Sequence, residues 1–158
     1  MSITGAPNFS YKEFVKSDIA IRRGISNIPN DAYCKNIEKL AVNILQPLRD
    51  AYGRIRITSG YRCKKLNKII HGSRRSFHCV GCAADIEPLN KEISLFDVLF
   101  WINKNCEFQE LIAEYFQDGW GWVHVAYVEG RNEKLIKLKD KEHNYEVVTI
   151  DYLMSLWW

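Results

Sequence analysis

Six apolar residues, Ile37, Leu40, Ala41, Ile44, Leu45 and Leu48, recur at alternating steps of three and one. That spacing puts all six on one side of an α-helix. A one-sided helix is stable only when its stripe is buried against another layer. The helix is expected to follow Pro29, to bend or break at Pro47 and to end at Gly53. Ser10-Tyr11-Lys12-Glu13 is a capping box that starts a short helix at Ser10.

The later chain supplies the opposing layer. Arg54-Ile55-Arg56-Ile57-Thr58 alternates with period two and predicts a strand. Cys63 to Ile70 reads as a short helix, and Ala83 to Glu87 as a short buried strand stopped by Pro88. Ser94 can cap a helix running to about Asn103. Leu111–Phe116 and Trp122–Tyr127 read as strands joined by residues 117–121. Two more strands are expected at Lys134–Leu138 and Tyr145–Ile150, before the apolar tail Tyr152–Trp158. Helices come early and strands late, with no regular β-α-β repeat. The expected class is α+β with a mainly antiparallel sheet and helices packed on it.

Composition sets the outer bounds. A chain of 158 residues, 47% hydrophobic and 26% charged, is expected to form one domain over residues 1–158. The stretch Leu95 to Ile102 is interrupted by Asp97. It falls well short of the ~20 apolar residues that a bilayer span needs. Met1 to Gly5 shows no basic segment followed by an apolar one, so no secretory signal is expected. The net charge of +3 is too mild to argue for a nucleic-acid partner. The five cysteines, at 34, 63, 79, 82 and 106, are odd in number and read as reduced thiols. Cys79 and Cys82 form a CxxC, but no second CxxC completes a four-thiolate site.

Three segments carry chemistry: Ser59-Gly60-Tyr61-Arg62, Ser76 to Asp85, and Trp122-Val123-His124-Val125. His78 is expected in a loop, Asp85 on a strand seven residues later, and His124 on another strand. Gly81 lets the chain turn sharply between the first two. Two imidazoles and one carboxylate form a catalytic zinc set with a fourth position left for water. On spacing alone, His78 and His124 read equally as ordinary polar histidines.

With these segments the chain resembles the zinc D-alanyl-D-alanine carboxypeptidase family, which shares its fold with the hedgehog signalling domain. It is most similar to the small phage and bacterial members. The match runs from Asn8-Phe9-Ser10-Tyr11-Lys12-Glu13-Phe14 through Leu45-Gln46-Pro47-Leu48-Arg49 to the three motifs, which occur in the family's order. The resemblance implies zinc ligands at His78, Asp85 and His124. It implies an arginine at Arg62 that binds or polarises the substrate, and a substrate-lining serine at Ser76. Arg62 also falls in a run, Arg62 to Arg75, that holds six Lys or Arg, for which a solvated face or a nucleic-acid patch is the alternative reading.

Many relatives carry an acid three positions before the last zinc histidine, where this chain has Gly121. A general base must come from elsewhere. Pairing 116 opposite 122 would set Glu114 opposite His124, making Glu114 the expected catalytic base or a carboxylate that orients His124. Asp118 is the second candidate. Cys79 and Cys82 are expected to pack around the site. His71 and His143 are expected to be surface histidines without partners. Trp120, Trp122 and Tyr127 read as core or as groove-lining aromatics.

The resemblance implies a monomeric zinc peptidase acting on peptide bonds of peptidoglycan stem or cross-bridge peptides, as a carboxypeptidase or endopeptidase. A phage enzyme released onto the cell wall fits the expected lack of a secretory signal. The competing reading is a zinc-containing binding module without turnover, motivated by Gly121. A nucleic-acid-binding protein using the Arg62–Arg75 run is a third.

Overall fold

The structure is a computed structural model and describes residues 1–116 and 120–157. The chain opens with a small hairpin, β1 (Ser2–Ile3) and β2 (Ala6–Ser10). Ser10 then caps α1 (Tyr11–Val15) through the expected capping box. A short helix that the sequence did not announce, α2 (Asp18–Arg22), follows.

The apolar stripe forms as expected. α3 (Asp31–Leu40) runs through a π-helical turn at Ala41–Leu45 into α4 (Gln46–Tyr52). All six stripe residues are fully buried. Pro47 does not break the helix. It lies in the first turn of α4, just after the widened turn, where the Gln46 N–H reaches back to the Ala41 carbonyl. A proline lacks the N–H that a regular ladder needs, and an i→i+5 turn absorbs that defect. Gly53 ends the helix at a positive φ of 79°, as expected.

The second layer is a six-stranded sheet in the order β3-β4-β6-β5-β7-β8. Its strands are β3 (Ile55–Ser59), β4 (Ala83–Pro88), β5 (Glu110–Glu114), β6 (Trp122–Ala126), β7 (Leu135–Lys139) and β8 (Tyr145–Val147). All pairings are antiparallel except β5 with β7, which is parallel. The class is α+β with a mainly antiparallel sheet, as expected. α5 (Lys64–Ile69) lies between β3 and β4, α6 (Leu95–Asn105) between β4 and β5, and α7 (Ile150–Trp157) forms the tail. Among the described residues, no helix is long and apolar enough to cross a membrane.

The period-two alternation of the strands divides the sheet's residues. Ala84, Ile86, Leu111, Ala113, Val123, Val125, Ile136 and Leu138 are buried in one core with the stripe helix, with Val98, Leu99 and Ile102 of α6, and with Leu153 of α7. The opposite face carries Asp85, Glu110, Ile112, Glu114, His124, Lys137 and Lys139, and these line a groove. The helical layer thus fixes the face from which the chemistry projects.

Leu48 is fully buried beside the π turn. Leu48→Ala is expected to lower unfolding stability by about 2–5 kcal/mol, the usual cost of a large-to-small core change. Urea denaturation measures it.

Candidate metal centre

His78 is the second residue of a 3-10 turn, Phe77–Val80. Ser76 precedes this turn, and its Oγ accepts from the His78 N–H at 3.3 Å. Gly81 ends it in the left-handed region at φ 75°, where a Cβ would stand 2.5 Å from the Tyr33 carbonyl oxygen. The sharp turn expected at Gly81 therefore forms, and only glycine fits it. Two residues later β4 begins and carries Asp85, which pairs directly with His124 on β6.

The three side chains converge. His124 Nδ1 lies 2.9 Å from Asp85 Oδ1 and 3.2 Å from His78 Nε2, and His78 Nε2 lies 3.2 Å from Asp85 Oδ1. All three residues are buried. Donors about 2.0–2.2 Å from one tetrahedral ion stand about 3.3–3.6 Å apart, only slightly wider than this triangle.

The outer nitrogens set the tautomers. His78 Nδ1 is 2.6 Å from the Gly60 carbonyl, which can only accept, so Nδ1 carries the proton. His124 Nε2 faces Glu110 Oε1 at 3.4 Å, and Glu110 is itself held by Lys137. With the His78 proton directed outward and the second His124 nitrogen turned toward Glu110, two ring nitrogens and a carboxylate oxygen meet at one point. A cation relieves that crowding, and the donor set fits a divalent metal.

The electrostatics agree. Burial pushes His78 below its ordinary pKa and keeps it neutral. Burial alone would raise Asp85, but the imidazoles of His78 and His124 overcome it and hold the carboxyl well below the usual range. Burial opposes charge on His124, yet Asp85 and Glu110 raise its pKa to about 9. Burial likewise works against Glu110, whose neighbours His124 and Lys137 bring it down to about 2. The pocket favours positive charge at the triangle.

Gly60 cannot be larger. A Cβ there would stand 2.5 Å from the Phe14 carbonyl oxygen and 2.7 Å from the Phe14 Cα. The packing of α1 against the end of β3 thus delivers the carbonyl that orients His78.

Arg62 projects beside the triangle, its Nη2 3.9 Å from Asp85 Oδ2, and its Nε is buried without a partner. Arg62 and Ser76 line the same groove of about 1020 Å³ as the triangle. The hairpin register differs from expectation by two residues. Glu114 pairs with Trp122, and Ile112 pairs with His124. A slip of two keeps the face, so Glu114 still lines the groove with His124, now diagonal to it. Its Oε2 accepts from Lys139 Nζ at 3.0 Å. Burial, and then the charge of Asp85, push the Glu114 pKa up from its ordinary value. Asp118 lies outside the described residues.

Gly121 has a structural reason. Its φ is 152°, and a Cβ would stand 2.2 Å from the Glu114 carbonyl oxygen. No acid fits at this position on this backbone.

Other expectations divide. Cys79 and Cys82 are free and buried, and burial pushes both thiols up, away from the thiolate form that binds metal. Their expected packing role agrees with this. His143 corrects the expectation of a partnerless histidine: although exposed, its Nδ1 shares a 2.6 Å hydrogen bond with the Tyr115 hydroxyl. His143 and the exposed His71 both line the groove. Trp122 lines the groove, the exposed Trp120 stacks on Tyr115, and Tyr127 packs on the core. Glu110, Lys137, Lys139, Tyr115 and Tyr145 also line the groove and were not expected. Glu110, Ile112 and Glu114 recur at every second position, as do Lys137 and Lys139, and that alternation was a usable signal, since each set shares a strand face.

An α+β scaffold with a His–Asp–His donor triangle in a groove is the frame of a metal-dependent hydrolase. The family model described as Peptidase M15 matches residues 7–126, and the chain belongs to that family of D-alanyl-D-alanine carboxypeptidase-like peptidases. The match contains all three donors and ends before β7, so the lysines that engage Glu110 and Glu114 lie beyond it. No curated protein matches the chain.

Gly121→Asp, which would restore the acid found in many relatives, is expected to destabilise the fold by more than about 1 kcal/mol without raising activity. The positive φ and the backbone clash both oppose a side chain there. Thermal unfolding together with a peptidase assay checks this.

Proposed function

We propose that the protein is a zinc-dependent peptidase that hydrolyses peptide bonds in the stem or cross-bridge peptides of bacterial peptidoglycan. The reading rests on one observation above all: a buried His78–Asp85–His124 triangle, sized for one ion, opens into a groove in a chain of the M15 family. Two imidazoles and one carboxylate suit zinc. Bound at these donors, zinc supplies an activated water and a Lewis acid for the scissile carbonyl.

The chain's own residues do the rest. Glu114 accepts the proton of the attacking water and passes it to the leaving amine. Burial and the charge of Asp85 raise its pKa, the direction that suits a group which must both take and return a proton. Lys139 keeps that carboxylate oriented along the sheet face. Arg62 donates to the peptide oxygen beside the triangle, as a rigid fork of donors that needs no reorganisation. Ser76 orders the turn that carries His78 and lines the groove wall. Glu110 holds His124 in the orientation that turns its Nδ1 toward the centre.

The expected metal content is about one zinc per chain, and His78→Ala or His124→Ala should abolish tight binding. Elemental analysis after dialysis measures it; stoichiometric zinc in both variants would remove the assignment.

Purified peptidoglycan incubated with the zinc-loaded protein should yield peptide fragments by mass spectrometry. Glu114→Gln should cut kcat by roughly 10²–10⁴-fold with zinc content unchanged, the usual contribution of general acid–base catalysis. Binding of zinc and peptidoglycan with no fragments between about pH 5 and 9 would favour a binding module instead.

A further inference from the structure

Arg62 separates two cavities. One is the groove over the donor triangle. The other, about 470 Å³, opens on the far side against β3, α2 and α5. Arg62 and Ile70 belong to both linings, so the two spaces adjoin.

β3 is an end strand of the six-stranded sheet. Its four consecutive residues Arg56, Ile57, Thr58 and Ser59 all line the second cavity. Arg56 and Ile57 pair in regular register with Glu87 and Ile86, so they point to opposite faces, and a space that both line lies along the strand's edge; a bulge follows between Ile57 and Ser59. The outer N–H and C=O groups of an end strand form a template for another extended segment. Ser59 pairs with Asp85. A segment added outside β3 would therefore lie about two strand spacings, roughly 10 Å, from a donor of the triangle.

The charges choose the occupant. Lys16, Arg22, Arg56 and Arg62 line this cavity against the single acid Asp18. Arg56 is engaged by Glu87. Lys16 and Arg22 form no ion pair among the described residues, and Arg62 keeps its buried Nε unpartnered. Ile19, Leu66 and Ile70 supply an apolar wall below this basic rim.

We propose that this cavity is a subsite for an extended, carboxylate-bearing peptide segment. The segment adds to the outer edge of β3 as a further strand, sets its carboxylate on Lys16 and Arg22, and passes across Arg62 into the groove. This rests on the peptidase reading and extends it to the part of the substrate away from the scissile bond.

The test uses a synthetic acidic stem peptide and its carboxamide counterpart with the zinc-loaded protein. Lys16→Glu/Arg22→Glu should raise KM for the acidic peptide at least about tenfold, as expected for lost charge-assisted hydrogen bonds. Its kcat should stay within about twofold, since these side chains stand away from the reacting bond. KM for the carboxamide should not rise. In the Glu114→Gln protein, the acidic peptide should slow hydrogen exchange at the β3 amides. An unchanged KM for the acidic peptide in the charge-reversed variant, or slowed exchange confined to β5 and β6, overturns the subsite while peptidase activity stands. A parent protein that cleaves neither peptide overturns the peptidase reading and the subsite with it. A short single-stranded oligonucleotide that binds the parent but not the reversed variant, where the peptide does not bind, overturns it in favour of nucleic acid.

Discussion

The pairing of β4 with β6 is the constraint on which the site depends. Antiparallel register sets Asp85 directly opposite His124, with both side chains on the sheet face away from the helices. That single neighbour relation supplies two of the three donors. The third, His78, needs only the short turn that leads into β4. Everything around the turn then serves to hold it: Ser76 caps it, Gly81 reverses it, and the Gly60 carbonyl sets the ring. The buried helix stripe acts at a distance, by deciding which sheet face is left for chemistry.

Much of this was legible because the relevant patterns are local. The stripe from Ile37 to Leu48, the capping box at Ser10 and the strands around Asp85 and His124 each follow from neighbours within a few residues. The donor set was legible because the motifs themselves state residue type and order. What escaped was non-local. The pairing of β5 with β7 joins segments about 25 residues apart through a parallel register, and no turn announces it. Without that pairing Lys137 cannot be set against Glu110, nor Lys139 against Glu114. The hairpin register differed because strand alternation fixes which face a residue takes and not which residues oppose. The conserved face survived the error only because the slip was even. Pro47 was misread because its cost depends on whether the preceding turn can widen, which composition does not reveal.

Gly121 illustrates the opposite limit. The sequence shows a missing acid, and the structure shows that the backbone there leaves no room for one. Among the described residues, Glu114 is then the groove carboxylate near His124 that is neither a donor of the triangle nor set against the far imidazole nitrogen. Role and position are coupled through the same few atoms, since the Glu114 carbonyl oxygen is what excludes a side chain at 121.

The lysine-bearing strand β7 has a consequence for the groove's field. The groove's lining carries three acids, Asp85, Glu110 and Glu114, against four bases, Arg62, Arg75, Lys137 and Lys139. The lining thus carries one more base than acid before any ion is added. A divalent cation would add to that positive excess, confined between low-dielectric walls that focus the potential outward. Anionic chains would be drawn to this mouth faster than neutral ones, and added salt would erase the difference over a Debye length of about 8–10 Å. The strand that lies beyond the family match thereby supplies two of the four bases on which such attraction would depend.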